Sequence, residues 1–196
     1  RSGDGMANYP LLLKKLYEVG YDGPITIERE ISGEKQLEDI RYAKKFLEDL
    51  IDKVTVFRVG LVGIGGMGFG HYRRYADLDN AKIVAVCDIR DEVAKEKVGE
   101  TGLPIYTDMV EMIRNEKLDM VDIVTPSYTH ADLACTALSM GVHVLCEKPM
   151  ALDPASCKRM IAASRKYGKR LMIAHVVRFM KPYVYLAEAV RSGRLG

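Results

Sequence analysis

Residues from about Phe57 onward predict an α/β fold, a doubly wound parallel sheet, preceded by a helix-strand-helix extension. Two observations carry that expectation. Six short apolar runs, Phe57–Ile64, Lys82–Asp88, Ile105–Thr107, Met120–Thr125, His143–Glu147 and Leu171–His175, alternate with single stretches of helical spacing. Apolar strands separated by lone helices need crossovers, which are right-handed and give a parallel sheet covered on both faces. The first run also passes directly into Gly63-Ile64-Gly65-Gly66-Met67-Gly68, where a strand has to turn sharply into a helix.

The elements follow in order. In residues 1–53, Pro10 suits a first helical turn, and Leu11, Leu12, Lys15, Leu16 and Val19 keep helical spacing up to a stop at Gly20. Asp22-Gly23-Pro24 reads as a turn and Ile25-Thr26-Ile27 as a short β-branched strand. Leu37, Ile40, Ala43, Phe46, Leu47 and Leu50 then recur along one face of a long helix. One strand between two helices cannot satisfy its own ladder, so this segment calls for strands from elsewhere. Further on, Asp108-x-x-Glu111 and Thr129-x-x-Asp132 have capping-box spacing, and Asp153 precedes a first-turn Pro154.

Composition narrows the classes. The chain is 48% hydrophobic and 29% charged, which fits a packed core. A net charge of +2 gives no electrostatic footprint for nucleic acid or an anionic membrane. The longest apolar runs are strand-length, too short to span a bilayer, and the N-terminus lacks the apolar core of a signal peptide. Cys87, Cys135, Cys146 and Cys157 have no C-x-x-C spacing, so no zinc site or disulfide framework is expected, and a reducing cytoplasm fits. With no initiating Met and an end just past a helical pattern, the chain reads as a piece of a longer polypeptide.

The glycine run carries the first functional signal. In Gly63-x-Gly65-x-x-Gly68, the first glycine permits the tight turn. The second lets the backbone approach a pyrophosphate, and the third allows close packing of helix on sheet. The helix start, with Ile64, Gly66 and Met67 in the loop, offers N–H groups and a positive dipole end to phosphate. The second run ends at Asp88, twenty residues beyond Gly68. A carboxylate there can accept both ribose hydroxyls and would repel a 2′-phosphate, which favours NAD over NADP. Arg90 keeps NADP open, because a guanidinium can pair with that phosphate. Loop and acid together define a Rossmann dinucleotide site.

Three later motifs are Thr125-Pro126-Ser127-Tyr128-Thr129-His130, Glu147-Lys148-Pro149 and His175-Val176-Val177-Arg178-Phe179. With the glycine loop, they resemble the N-terminal domain of the glucose–fructose oxidoreductase / inositol dehydrogenase / MocA family, over essentially all of residues 57–196. The resemblance implies an NAD(P)-binding domain over 57–180, with 181–196 starting a second, substrate domain. It also implies hydride transfer between nicotinamide and a sugar, cyclitol or related polyol. Lys148 would be the catalytic group, and Glu147 would orient it. Thr125, Pro126 and His130 would line the nicotinamide-ribose side, with His175 and Arg178 near the same crevice. For His130 a packing role at a helix start is an equal alternative. This chain places Pro182 three residues after Phe179, one later than the family pattern.

Gly20-Tyr21-Asp22-Gly23-Pro24-Ile25-Thr26-Ile27-Glu28-Arg29-Glu30, with the helices around it, resembles the last strand of xylose-isomerase-like sugar phosphate isomerase/epimerase barrels. That resemblance makes Glu28 the match to a metal-binding glutamate, whose partner ligands would lie on strands absent here, so no metal site is expected. Three functional readings remain at this level: an oxidoreductase, a dinucleotide-binding module without turnover, and part of a bifunctional isomerase–oxidoreductase. Substrate identity and oligomeric state are left open.

Overall fold

The computed structural model describes residues 8–21, 23–25, 34–54 and 56–194. The expected strand at Ile25-Thr26-Ile27, apart from Ile25, lies outside them, as does Glu28. The chain divides into two compact units, Arg1–Phe57 with Leu78–Lys82, and Arg58–Asp77 with Ile83–Gly196.

The first unit holds helices α1 (Tyr9–Glu18) and α2 (Glu34–Val54). Asn8 caps α1 by accepting the Leu11 N–H at 3.1 Å. Gly20, at φ 70°, ends it in the left-handed conformation. The two helices meet through an edge-on contact of Tyr9 with Phe46 and bury Leu13 and Ala43.

The second unit holds all but the first residues of β1 and β2 of one parallel sheet, in the order β3-β2-β1-β4-β5-β6. The strands are β1 (Phe57–Val62), β2 (Ala81–Cys87), β3 (Ile105–Tyr106), β4 (Met120–Ile123), β5 (His143–Cys146) and β6 (Leu171–Ile173). Helices α3 (Gly66–Tyr75), α4 (Asp91–Val98), α5 (Met109–Asn115), α6 (His130–Ser139), α7 (Pro154–Tyr167) and α8 (Lys181–Arg191) complete the chain. Alternation along the strands sends side chains to two cores. Leu61 and Val86 pack with Ile64, Ala94, Val98, Phe69 and Tyr72 of the α3 and α4 layer. Val62, Cys87, Val121, Ile123, Val144 and Cys146 pack against α5, α6 and α7 on the other face. This is the doubly wound Rossmann arrangement, with the strand order reversing between β1 and β4.

All six expected strands exist, and each ends one or two residues early, β4 and β6 at Ile123 and Ile173. The ladder gives out there: Val124 N–H still reaches Val62 O and Glu147 N–H still reaches Ile123 O, after which the chain turns outward. Of the overhanging residues, Gly63, Asp88, Thr107, Val124 and Thr125 border the site. Asp153 caps α7 as expected, accepting from Ser156 N at 2.9 Å, and Asp108 caps α5 through Glu111 N at 2.9 Å. Thr129 does not cap α6. A 3-10 turn, Ser127–Thr129, precedes that helix, and the Thr129 hydroxyl is used by Pro126 O at 2.8 Å.

Candidate cofactor site

The loop between β1 and α3 is shaped by contacts that tolerate no side chain. Gly63 has φ +88°, and a Cβ there would lie 2.6 Å from Val124 O. A Cβ on Gly68 would sit 2.0 Å from the Gly63 carbonyl oxygen. The third glycine is therefore required because the loop folds back on itself, more than for packing of helix on sheet. Ile64, fully buried between them, is held from both sides. Its N–H donates to Asp88 Oδ2 at 2.9 Å, and its carbonyl accepts from Lys97 Nζ at 2.9 Å. By contrast, nothing lies within 4 Å of the Cβ positions of Gly65 and Gly66. The first-turn N–H groups of a helix have no acceptor within it, and Gly65, Gly66 and Met67 at the start of α3 border this space.

A cavity of about 840 Å³ lies over the loop, bounded by Gly63, Gly65, Gly66 and Met67, by Asp88 and Arg90, and by Thr125 and Pro126. Its wall also includes Ile89, Thr107, Tyr128 and Thr129, none of which was expected from the sequence to bind cofactor. Asp88 is buried, and its carboxylate accepts two backbone N–H groups, Ile64 and Arg90, the latter at 3.0 Å. A carboxylate has roughly four acceptor directions, so about two remain for a ribose diol. Arg90 lies alongside, its Nε 3.9 Å from Asp88 Oδ1, with most of its side chain in solvent. Glycine cradle, open helix start and acceptor carboxylate suit a dinucleotide.

At the ends of β4 and β5, His130 is buried, its Nδ1 2.8 Å from Pro149 O and its Nε2 3.0 Å from Thr125 O. It ties the Thr125 loop to the Glu147-Lys148-Pro149 turn and is absent from the cavity wall. Glu147 is buried too, and its Oε2 accepts the Lys148 backbone N–H at 2.9 Å. The Lys148–Pro149 peptide is cis. Lys148 is exposed at the end of β5, and His175 and Arg178 are exposed beyond β6, all three outside the cavity wall.

Two residues that sequence reading missed complete the surroundings. Asp122 lies on β4 with no exposure, opposite Leu61 of β1 and Leu145 of β5, and so faces the α3 layer. His71 of α3 meets it, Nδ1 to Asp122 Oδ2 at 2.8 Å, while Nε2 lies 3.2 Å from Glu147 Oε1. The hydrogen bond with Asp122 raises the His71 pKa, and the charges of Asp122 and Glu147 add to this against the opposing effect of burial. Burial pushes the thiols of Cys87 and Cys146 up to about 12, which disfavours their thiolates. A lone acid inside the apolar run Met120–Val124 was the available signal for this cluster.

Fold and loop define a dinucleotide-binding Rossmann domain. Residues 57–175 match the oxidoreductase family with an NAD-binding Rossmann fold (glucose–fructose oxidoreductase / inositol dehydrogenase / MocA), and the chain belongs to that family. It is 38% identical to an inositol 2-dehydrogenase of Salmonella paratyphi B, over 71% of this chain and 43% of that protein. A D-apiose dehydrogenase of Paraburkholderia graminis is 33% identical, over 73% and 38% respectively. Among solved structures, the WlbA dehydrogenase from Bordetella pertussis in complex with NADH and UDP-GlcNAcA superposes with TM-score 0.69 at 30% identity, covering 72% of this chain and 43% of that one. The scyllo-inositol dehydrogenase from Lactobacillus casei with bound NAD(H) and scyllo-inositol gives TM-score 0.68 at 26% identity, with the same coverage. The chain thus spans about two fifths of the length of these relatives. No helix among the described residues is long and apolar enough to cross a membrane.

Proposed function

We propose that this chain is the cofactor-binding part of a cytoplasmic oxidoreductase that moves a hydride between NAD and a sugar, cyclitol or related polyol. The observation that carries this reading is the glycine cradle open beside Asp88, with Thr125 and Pro126 on the same cavity wall. The relatives named as inositol and apiose dehydrogenases support the polyol class. A bound nicotinamide supplies the hydride acceptor or donor. The chain's own part is to seat the phosphates on the loop and accept the ribose hydroxyls at Asp88. Lys148 passes a proton to or from the substrate oxygen, on a turn held by Glu147 and His130. Residues 1–53 are the end of an isomerase/epimerase-like barrel, a reading supported by the Gly20–Glu30 motif, and residues 181–196 begin a substrate domain.

Fluorescence titration with NADH and NADPH tests the cofactor assignment. Tighter NADH binding is expected, and equal or reversed affinities would move the decisive role from Asp88 to Arg90. One observation favours a second reading: Lys148, His175 and Arg178 stand outside the cavity wall, as they would in a binding module without turnover. NADH binding without NAD reduction by inositols, sugars or other polyols, in the polypeptide carrying this chain through the length of its relatives, would establish that second reading.

A further inference from the structure

His71 and Asp122 have no assigned part in the cofactor site, yet with Glu147 they form a largely buried cluster of titratable groups. Its geometry starts from helix spacing. Gly68, His71 and Tyr75 fall at i, i+3 and i+7, one stripe of α3. Gly68 abuts the loop, and His71, one turn later, passes over the middle of the sheet. There the strands offer Asp122 and, at the end of β5, Glu147, both carboxylates facing the ring. Carboxylates are acceptors, so a ring with only one N–H satisfies one of them and turns a lone pair toward the other. With both acids ionised, the two contacts are made together only by an imidazolium, whose charge also offsets the two carboxylates. The ring stands between the carboxylates, and the three do not converge to hold a metal ion.

We propose that His71 is a positioning residue for the Glu147-Lys148-Pro149 turn, bridging Asp122 and Glu147 and so fixing the carboxylate that receives the Lys148 backbone N–H. The bridge links the helix that starts at the phosphate loop to the turn that presents Lys148. It rests on the assignment of Lys148 to the reaction. The raised His71 pKa agrees with it, and the titratable groups around the ring are Asp122 from β4, Glu147 from β5 and Tyr75 from its own helix. Burial, then the charge of Asp122, raises the Tyr75 hydroxyl, which stays neutral through the range where His71 titrates.

The test is an NMR titration of the full chain with labelled histidine rings and backbone amides. Both His71 ring nitrogens are expected to carry protons at neutral pH, and the Lys148 amide resonance to move with the same midpoint as the ring. In Glu147→Gln the His71 midpoint falls, and the Lys148 amide no longer follows it. A ring with a bare nitrogen at neutral pH, or one that titrates while the Lys148 amide stays still, overturns the proposal. The wild-type titration decides this even if a variant fails to fold. It needs no cofactor, so a chain that does not bind NADH counts against the oxidoreductase reading alone. In the active enzyme, His71→Gln lowers kcat roughly tenfold with KM for NAD unchanged. An unaltered kcat removes the positioning role.

Discussion

The ring of His71 and the ammonium of Lys148 are close in the chain's logic and opposite in their surroundings. His71 has only 16% of its side chain exposed and sits between two acids, so its protonation is tied to the folded state. Its folded pKa is raised, so the stability it contributes is complete below the unfolded value, near pH 6.5, and is lost as pH rises through the folded one. Urea unfolding should show wild type exceeding His71→Gln by roughly 1–2 kcal/mol at slightly acid pH, with the gap shrinking in alkali. A constant gap would mean the ring is held without charge. Lys148 is exposed, and its replacement should alter stability by no more than about 0.5 kcal/mol. In the active enzyme Lys148→Ala should keep NADH affinity and lose about 10²–10⁴-fold in turnover. Near-normal turnover would remove Lys148 from the site. At this scale the sequence spoke unevenly. Asp88 was legible because its spacing from the glycines is fixed by one helix and one strand. His71 was not, because its partners come from two strands more than fifty residues away, and only the register of β1, β4 and β5 brings them to one face.

Among elements, the strand–loop–helix unit β1–α3 carries the cofactor argument, and its glycines separate into two kinds. Gly68 faces the Gly63 carbonyl, backbone against backbone, with no flexible side chain to give way. Gly65 faces open space. Gly68→Ala should therefore distort the loop, lowering the melting temperature and NADH affinity together. Gly65→Ala should leave melting nearly unchanged and weaken NADH by about tenfold or more, since its methyl group would occupy space meant for phosphate. Thermal denaturation and NADH titration of the two variants check this, and a Gly65→Ala chain with full affinity would place the pyrophosphate elsewhere. The strands themselves were readable from alternating apolar runs. Their ends were not: apolar residues such as Ile64 and Val124 continue the pattern past the point where the ladder stops, because they pack beneath the loops. Thr129 illustrates the same limit for caps. Its spacing suited a capping box, but the preceding 3-10 turn and the Thr125 hydroxyl, 2.7 Å away, took its side chain first.

For the molecule as a whole, the two units divide the work in a way that a single truncation can test. Every residue bordering the cavity belongs to the second unit, and none comes from residues 1–53. The bonds that shape the loop, from Asp88, Lys97 and the Gly63 N–H to Cys87 O, are likewise internal to it. Cofactor affinity should then survive removal of residues 1–53, changing by no more than about twofold, the effect of a distant substitution. The extent of the cut matters. α1 and α2 cover each other through Tyr9, Leu13, Ala43 and Phe46, so removing both takes away both sides of one apolar contact. Removing α1 alone would bare the Ala43–Phe46 face of α2 and promote association. The comparison is therefore between three proteins: the intact chain, one lacking α1 only, and one lacking residues 1–53. Light scattering should flag the second, and NADH titration should give the same affinity for the first and third. A loss of tenfold or more in the third would mean that the N-terminal segment shapes the dinucleotide site, and would count against reading it as the end of a separate barrel.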